Sequence, residues 1–198
     1  MNYIKITSGV YKGRKIATPG GGTHPMGERE RIALFNMLGE KVVGAKILDA
    51  YSGSGALGIE ALSRGADEVV FVDNSHVAMR TTSQNCFLLQ IPEEKAAFYR
   101  GSVSAFYKKF VQGQGMVIDP RMAMALATFP KEVDIILADP PYNDFNPKEI
   151  SRLANGYLKD DGILVLSHPG EALELPGLRL VKTNQYAQAH ISIYQRED

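Results

Sequence analysis

The sequence has no tryptophan, a single cysteine and no long hydrophobic run. The one cysteine, Cys86, cannot form an internal disulfide and does not make a metal site by itself. The apolar runs fall far short of the roughly 20 residues of a membrane-spanning helix, and residues 1–5 lack the apolar segment of a signal peptide. We therefore expect a cytoplasmic protein with no membrane partner and no metal ion.

A net charge is also missing, because 22 basic residues balance 22 acidic ones. Neutrality by itself argues against a nucleic-acid partner. The charge is nevertheless uneven: six basic and two acidic residues up to position 31 leave a local charge of +4, so the remaining chain carries −4. This asymmetry fits a catalytic domain with a polyanion-binding edge, and equally a solvated surface hairpin. The basic residues of this stretch are Lys5, Lys12, Arg14, Lys15, Arg29 and Arg31.

The N-terminal segment predicts an appendage to the main domain. Residues 2–16 alternate between apolar and polar side chains and are interrupted at Ser8-Gly9, which indicates a β-hairpin outside the main sheet. The glycine-rich segment 18–22 then predicts a flexible connector. We expect residues 1–22 to form the hairpin and connector, and residues 23–198 to form the main domain.

From residue 45 onward, predicted strands alternate with predicted helices. This order indicates an α/β fold with a doubly wound, mostly parallel sheet. Upstream, Leu34, Phe35 and Leu38 share one helical face and predict a helix that ends at Gly39. Two final alternating runs predict an antiparallel edge. The predicted strands are 46–50, 69–73, a short one near 97–99, 133–138, 163–166, 178–183 and 189–195.

A glycine-rich loop predicts a cofactor site. Gly53-Ser54-Gly55-Ala56-Leu57-Gly58 follows one predicted strand and opens a helix, and Asp73 ends the next strand. This is the fingerprint of an adenosine-containing cofactor, in which Asp73 accepts hydrogen bonds from ribose hydroxyls. Asp49, four residues before Gly53, would repel a pyrophosphate, but it favours the cationic methionine end of S-adenosylmethionine. Alternatively, Asp49 only caps a turn.

The segment Asp139-Pro140-Pro141-Tyr142 directly follows the apolar run 133–138. An exocyclic amine on a base is a poor nucleophile, because its lone pair is delocalised into the ring. The Asp139 carboxylate and the Pro140 carbonyl can accept its two N–H bonds and favour a pyramidal nitrogen, while Tyr142 offers a ring for stacking. We predict that these four residues catalyse methylation of an amino group on a flat base. The alternative is a strand-ending turn without function.

With these motifs, the chain resembles the bacterial small-subunit rRNA guanine-N2 methyltransferases of the RsmD type over nearly its whole length. The resemblance implies a class I S-adenosylmethionine-dependent fold, an N-terminal hairpin that grips rRNA, and a guanine-N2 target in 16S rRNA. The implied donor-binding residues are Asp49, Ser52, Gly53, Ser54, Gly55, Asp73, Asn74 and Ser102. The implied RNA contacts are Lys12, Arg14, Lys15, His24, Arg29 and Arg31. The segments that carry the resemblance are 8–16, 23–25, 33–38, 47–66 and 139–142.

The chain also departs from the family pattern. Arginine is usual at the position of His24, an acid usually follows the glycine where Gly101-Ser102 stands, and glutamate is frequent at Ser167. Three other functions stay open: adenine-N6 methylation of DNA, a non-catalytic RNA-binding or ribosome-assembly role, and an NAD-dependent oxidoreductase, which Asp49 disfavours. We expect a monomer whose partner is rRNA or an assembling small ribosomal subunit.

Overall fold

The computed structural model describes residues 2–20, 26–113, 129–142, 146–186 and 189–197. The described helices are α1 Glu28–Leu38, α2 Ala56–Ser63, α3 His76–Leu88, α4 Val103–Phe106 and α5 Pro147–Tyr157. The described strands are β1 Tyr3–Lys5, β2 Lys15–Ala17, β3 Lys46–Ala50, β4 Glu68–Asp73, β5 Ala96–Arg100, β6 Val133–Ala138, β7 Leu158–His168, β8 Leu178–Tyr186 and β9 Ala189–Arg196. Among these helices, none has the length and apolar character needed to cross a membrane.

The main sheet has seven strands within the described residues, in the order β5-β4-β3-β6-β7-β9-β8. Strands β3 to β7 run parallel, and β9 pairs antiparallel with both β7 and β8. This confirms the predicted doubly wound sheet with an antiparallel edge. The chain continues on opposite sides of β3, through β4 and later β6, so a crevice opens at the carboxyl ends of β3 and β6. Ligands of open α/β sheets bind at such a reversal.

Both faces of the parallel sheet are covered, which explains its continuous apolar strands. In β3, Ile47 packs in the layer that holds α1 to α3, whereas Leu48 points into the layer that holds α4 and α5. The chain differs from the sequence-based prediction after α5. Strand β7 begins at Leu158 instead of following a turn at 161–162, and its pairing with β6 shifts register there.

The N-terminal hairpin β1–β2 is separate from the main sheet, as predicted, but it is anchored to α2. Glu60 is fully buried, and its carboxylate accepts hydrogen bonds from the amides of Thr7 at 2.8 Å and Ser8 at 3.0 Å. The same carboxylate pairs with Arg64 at 2.9 Å. A buried carboxylate must be satisfied by such partners. The hairpin therefore has a fixed position on the domain.

Arg31 corrects one sequence-based prediction. Its side chain is only 1% exposed, and its two terminal nitrogens donate to the carbonyls of Met26 at 2.8 Å and Lys5 at 2.7 Å. It lies on the same face of α1 as Leu34 and Phe35. The prediction that Arg31 contacts phosphate is therefore wrong in this structure. Instead, Arg31 ties the start of α1 to β1.

Replacing Arg31 by Met is expected to lower the free energy of unfolding by about 2–4 kcal/mol, since the buried guanidinium's two hydrogen bonds to the Met26 and Lys5 carbonyls are lost. Urea unfolding of the unmodified protein and the variant measures the difference. The exposed neighbour Arg29→Met is the matched control, with an expected change below about 0.5 kcal/mol. Equal losses in the two variants would contradict the anchoring role.

Candidate active site

A cleft of about 1030 Å³ opens at the carboxyl ends of β3, β4 and β6. Because β3 and β6 are neighbours, with Ala50 in register with Ala138, the residues that follow them meet in this cleft. Both predicted groups line it: Asp49, Ser52, Gly53, Ser54, Asp73, Asn74 and Ser102 on the donor part, and Asp139, Pro140, Pro141 and Tyr142 on the acceptor part. Gly55 lies behind the loop, where an added side chain would collide with Thr82.

The glycine loop is held in a tight conformation by Asp73. Tyr51, Gly53 and Gly55 all have positive φ, at 65°, 56° and 76°. Non-glycine residues rarely adopt this region, and such strain concentrates at functional sites. The two carboxylate oxygens of Asp73 accept from the amides of Gly53 at 2.9 Å and Ser75 at 2.8 Å. Each oxygen keeps a lone pair, so Asp73 can also accept hydrogen bonds from a ligand.

Asp49 is a buried carboxyl group at the centre of the donor part. It is 1% exposed, and its Oδ2 accepts from the Gly58 amide at 2.9 Å. Burial raises the pKa of Asp49 to about 8, and the negative charges of Asp139 and Asp73 add to this rise, against the opposing hydrogen bond from Gly58. A nearby cation would reverse the shift and favour the ionised form. The site therefore fits a cationic ligand and disfavours a pyrophosphate.

Two hydroxyl groups support a ligand beside this loop. The Oγ atoms of Ser52 and Ser54 are buried and have no hydrogen-bond partner in the described part of the chain. Buried polar atoms are nearly always satisfied, so these two are available to a polar ligand. At the rim, Ser102 Oγ caps α4 by accepting from the Ala105 amide at 3.1 Å. The polar side chains of the donor part fit S-adenosylmethionine, which has a polar methionine end and sugar hydroxyls.

The acceptor part is organised by a residue that sequence reasoning noted only as a departure. Ser167, at the end of β7, is buried and hydrogen-bonds the Asp139 carboxylate, and the Tyr142 hydroxyl lies 3.1 Å from its Oγ. Burial raises the pKa of Asp139, while hydrogen bonds from Ser167 and from the Met26 amide oppose the rise. The Tyr142 side chain stays 40% exposed. Its ring is therefore accessible to a base.

The predicted RNA contacts separate into three groups. Lys12, Arg14, Lys15 and Arg29 are exposed, Arg31 is buried, and His24 lies outside the described residues. Pro19 and Gly20, which follow the hairpin, line the cleft together with Met26 and Gly27 at the start of α1. Arg29 follows the cleft-lining Met26 and Gly27 closely, whereas the hairpin turn packs against the far ends of α2 and α3, where Arg14 donates to the Leu88 carbonyl at 3.3 Å and Tyr11 donates its amide to Ser63 at 2.9 Å. In the described ranges, no three His, Cys, Asp or Glu side chains form a group suited to a metal ion.

The chain is similar to known proteins along nearly its whole length. The family described as "Conserved hypothetical protein 95" matches residues 4–195. "Putative rRNA methyltransferase YlbH" from Bacillus subtilis is 31% identical over 98% of this chain and 99% of that protein. "Ribosomal RNA small subunit methyltransferase D" from Escherichia coli is 28% identical over 98% of this chain and 90% of that protein. The solved structure "Putative methyltransferase yhhF from Escherichia coli" has a TM-score of 0.79 and 27% identity, with 99% of both chains covered.

Proposed function

We propose that this chain, which belongs to the family described as "Conserved hypothetical protein 95", methylates the exocyclic N2 of a guanine in small-subunit (16S) rRNA. Its relatives make it an S-adenosylmethionine-dependent methyltransferase. One observation carries the proposal. The segment Asp139–Tyr142 and the glycine loop after β3 lie at the carboxyl ends of neighbouring parallel strands and line one cleft. The acceptor amine and the donor methyl group can therefore be held side by side.

The acceptor residues supply orientation and a place for a proton. When bound, S-adenosylmethionine supplies a methyl group activated by a positive sulfur. Asp139 and the Pro140 carbonyl accept the two amine N–H bonds, so that the nitrogen lone pair points at this methyl carbon. With the donor bound, formation of the N–C bond would be balanced by cleavage of its C–S bond, and the methylated nitrogen would carry a positive charge until it loses a proton. Asp139, whose pKa burial raises, then takes the released proton.

Tyr142 and the N-terminal segment hold the RNA in this proposal. Stacking of a base on the Tyr142 ring contributes roughly 1–3 kcal/mol, and a paired guanine must first leave its helix. Lys12, Arg14 and Lys15 of the hairpin region and Arg29 of α1 contact phosphates. Residues 1–22 thus act as an RNA-gripping appendage to the methyltransferase domain, 23–198. We also propose that the enzyme is a cytoplasmic monomer that acts on rRNA or on an assembling small subunit.

Transfer of a labelled methyl group to purified 16S rRNA, small ribosomal subunits and DNA tests this function. We expect N2-methylguanosine in digested rRNA or in the subunit, identified by mass spectrometry. N6-methyladenine in the DNA sample would favour the adenine alternative. Retained RNA binding without transfer to any sample would favour a non-catalytic role.

The four exposed basic residues that we propose contact phosphates should make RNA binding weaken steeply as the salt concentration rises. Four phosphate contacts give a slope of log affinity against log salt of about −3 to −4. Replacing Lys12 and Lys15 by Gln is expected to make the slope less negative by about 1.5, measured by fluorescence anisotropy over a salt series. The exposed Lys182→Gln on β8 is the control and should leave the slope unchanged. A slope near zero for the unmodified protein would exclude the hairpin from binding.

A further inference from the structure

We propose that Glu30 determines the choice of base: its carboxylate accepts the N1–H of the guanine held by Asp139–Tyr142 and disfavours adenine. This inference rests on the proposed function and deepens it. Glu30 belongs to the first turn of α1, is half-buried, and lines the acceptor part of the cleft with Met26 and Gly27.

The carboxylate of Glu30 lies over Gly27, the residue that follows Met26, and the Met26 amide donates to the Asp139 carboxylate. An added Cβ at Gly27 would lie 2.1 Å from Glu30 Oε2, so the glycine leaves room for this orientation. After the effects of burial and of Asp139, the negative charge of Glu30 also raises the pKa of Tyr142. Both side chains line the same cleft. Glu30 therefore faces the cleft that holds the ring we propose stacks on the base.

The segment that carries Glu30 is fixed relative to Asp139. The Met26 amide donates to the Asp139 carboxylate, and Arg31 holds the Met26 carbonyl at 2.8 Å. Within the described residues, Glu30 forms no salt bridge that would neutralise its charge. A recognition group works best when neighbouring contacts hold it in position, because little ordering is then lost on binding. Glu30 meets this requirement.

The chemistry of the two purines gives the carboxylate its selectivity. On the Watson–Crick edge of guanine, the N2 amine lies next to a ring N1–H, which is a donor. In adenine, the amine lies next to a ring N1 that carries a lone pair. A carboxylate accepts hydrogen bonds and cannot donate when ionised, so it pairs with the first edge and repels the second. Sites that leave a buried polar group unpaired reject the wrong substrate strongly.

A base analogue separates this role from general damage to the enzyme. 2-Aminopurine keeps the 2-amino group of guanine but has a lone pair at N1 and lacks the 6-oxygen. Single-turnover methylation is measured on an rRNA fragment that carries either guanine or 2-aminopurine at the target position. The enzymes are the unmodified protein, Glu30→Gln and the matched control Glu28→Gln. Glu28 belongs to the same first turn of α1 but is exposed and does not line the cleft.

We expect Glu30→Gln to slow transfer to guanine by about 10- to 100-fold, the range for one charge-assisted hydrogen bond. Transfer to 2-aminopurine should change by less than about threefold, since the glutamine amide can donate to N1. Glu28→Gln should change neither rate, and titration with S-adenosylmethionine should give equal donor affinity in all three proteins. An equal loss on both bases, or an unchanged preference for guanine, would overturn the inference. Failure of the proposed function is distinct, because the unmodified enzyme would then place no methyl group on guanine N2.

Discussion

Asp139→Ala is expected to lower kcat by about 10²- to 10⁴-fold, with the affinity for S-adenosylmethionine changed by less than about threefold. Alanine removes both the acceptor for the amine and the group that takes its proton. Donor affinity should survive, because the glycine loop is held by Asp73 and not by Asp139. Single-turnover transfer and calorimetric titration measure the two quantities separately. The exposed Asp161→Ala, on the far end of β7, is the control.

Asparagine at the same position separates orientation from proton transfer. In Asp139→Asn the amide oxygen can still accept one amine N–H, so we expect a smaller loss, about tenfold. Below the raised pKa of Asp139 the carboxyl group of the unmodified enzyme is protonated and cannot take a proton, so kcat should fall as the pH falls. The Asn variant should lack this acidic limb. A kcat of Asp139→Ala within about threefold of the unmodified enzyme would contradict the assignment.

The arrangement of the acids at one edge of the sheet could be predicted from the sequence. Asp49, Asp73 and Asp139 each follow or end an apolar strand, and the carboxyl ends of parallel strands meet at one edge. The strand-loop-helix order therefore determines which residues share the cleft. The alternating strands and helices likewise predicted the parallel sheet, because their periodicity is a local property of the chain.

The role of Arg31 was predicted wrongly because charge counting treats every arginine alike. A signal was present in the helical periodicity: residue 31 lies three and four positions before Leu34 and Phe35, on the buried stripe of α1. A cation on such a stripe has to find acceptors inside the protein. Here they are two backbone carbonyls, which no sequence pattern identifies.

Ser167 could not be placed because its role depends on strand register. The pairing of Ala138 with Leu166 sets Ser167 beside Asp139. These strands are separated by α5, and β7 begins five residues earlier than the predicted run 163–166, so the sequence alone does not define their alignment. Glu30 depends in the same way on how the start of α1 packs against the end of β6. The sequence-based prediction therefore missed the roles that depend on contacts between distant segments of the chain.

Asp49→Asn is expected to lower the affinity for S-adenosylmethionine by about 100-fold at pH 7.5 and to remove a proton release that accompanies binding. With a pKa of about 8 in the free protein, Asp49 is mostly protonated at pH 7. A cationic donor lowers this pKa, so binding at pH 7 should release about one proton, and affinity should rise about tenfold from pH 6 to pH 7. Calorimetry in buffers of different ionisation heat measures the proton count.

The same substitution should stabilise the free protein, which separates loss of binding from loss of folding. The pKa of Asp49 is about 8 in the folded protein, above its ordinary value in the unfolded chain. As the pH rises between these two pKa values, the unfolded chain ionises first, so the folded state loses stability. Asparagine cannot ionise, yet its side-chain oxygen can still accept from the Gly58 amide. We expect the free energy of unfolding at pH 7 to rise by at least about 1 kcal/mol. Asp73→Asn, at a half-buried carboxylate in the same cleft, is the comparison and should show no such gain. An Asp49→Asn protein that binds the donor normally, or is less stable than the unmodified one, would contradict the view that Asp49 is a buried acid kept for its cationic ligand.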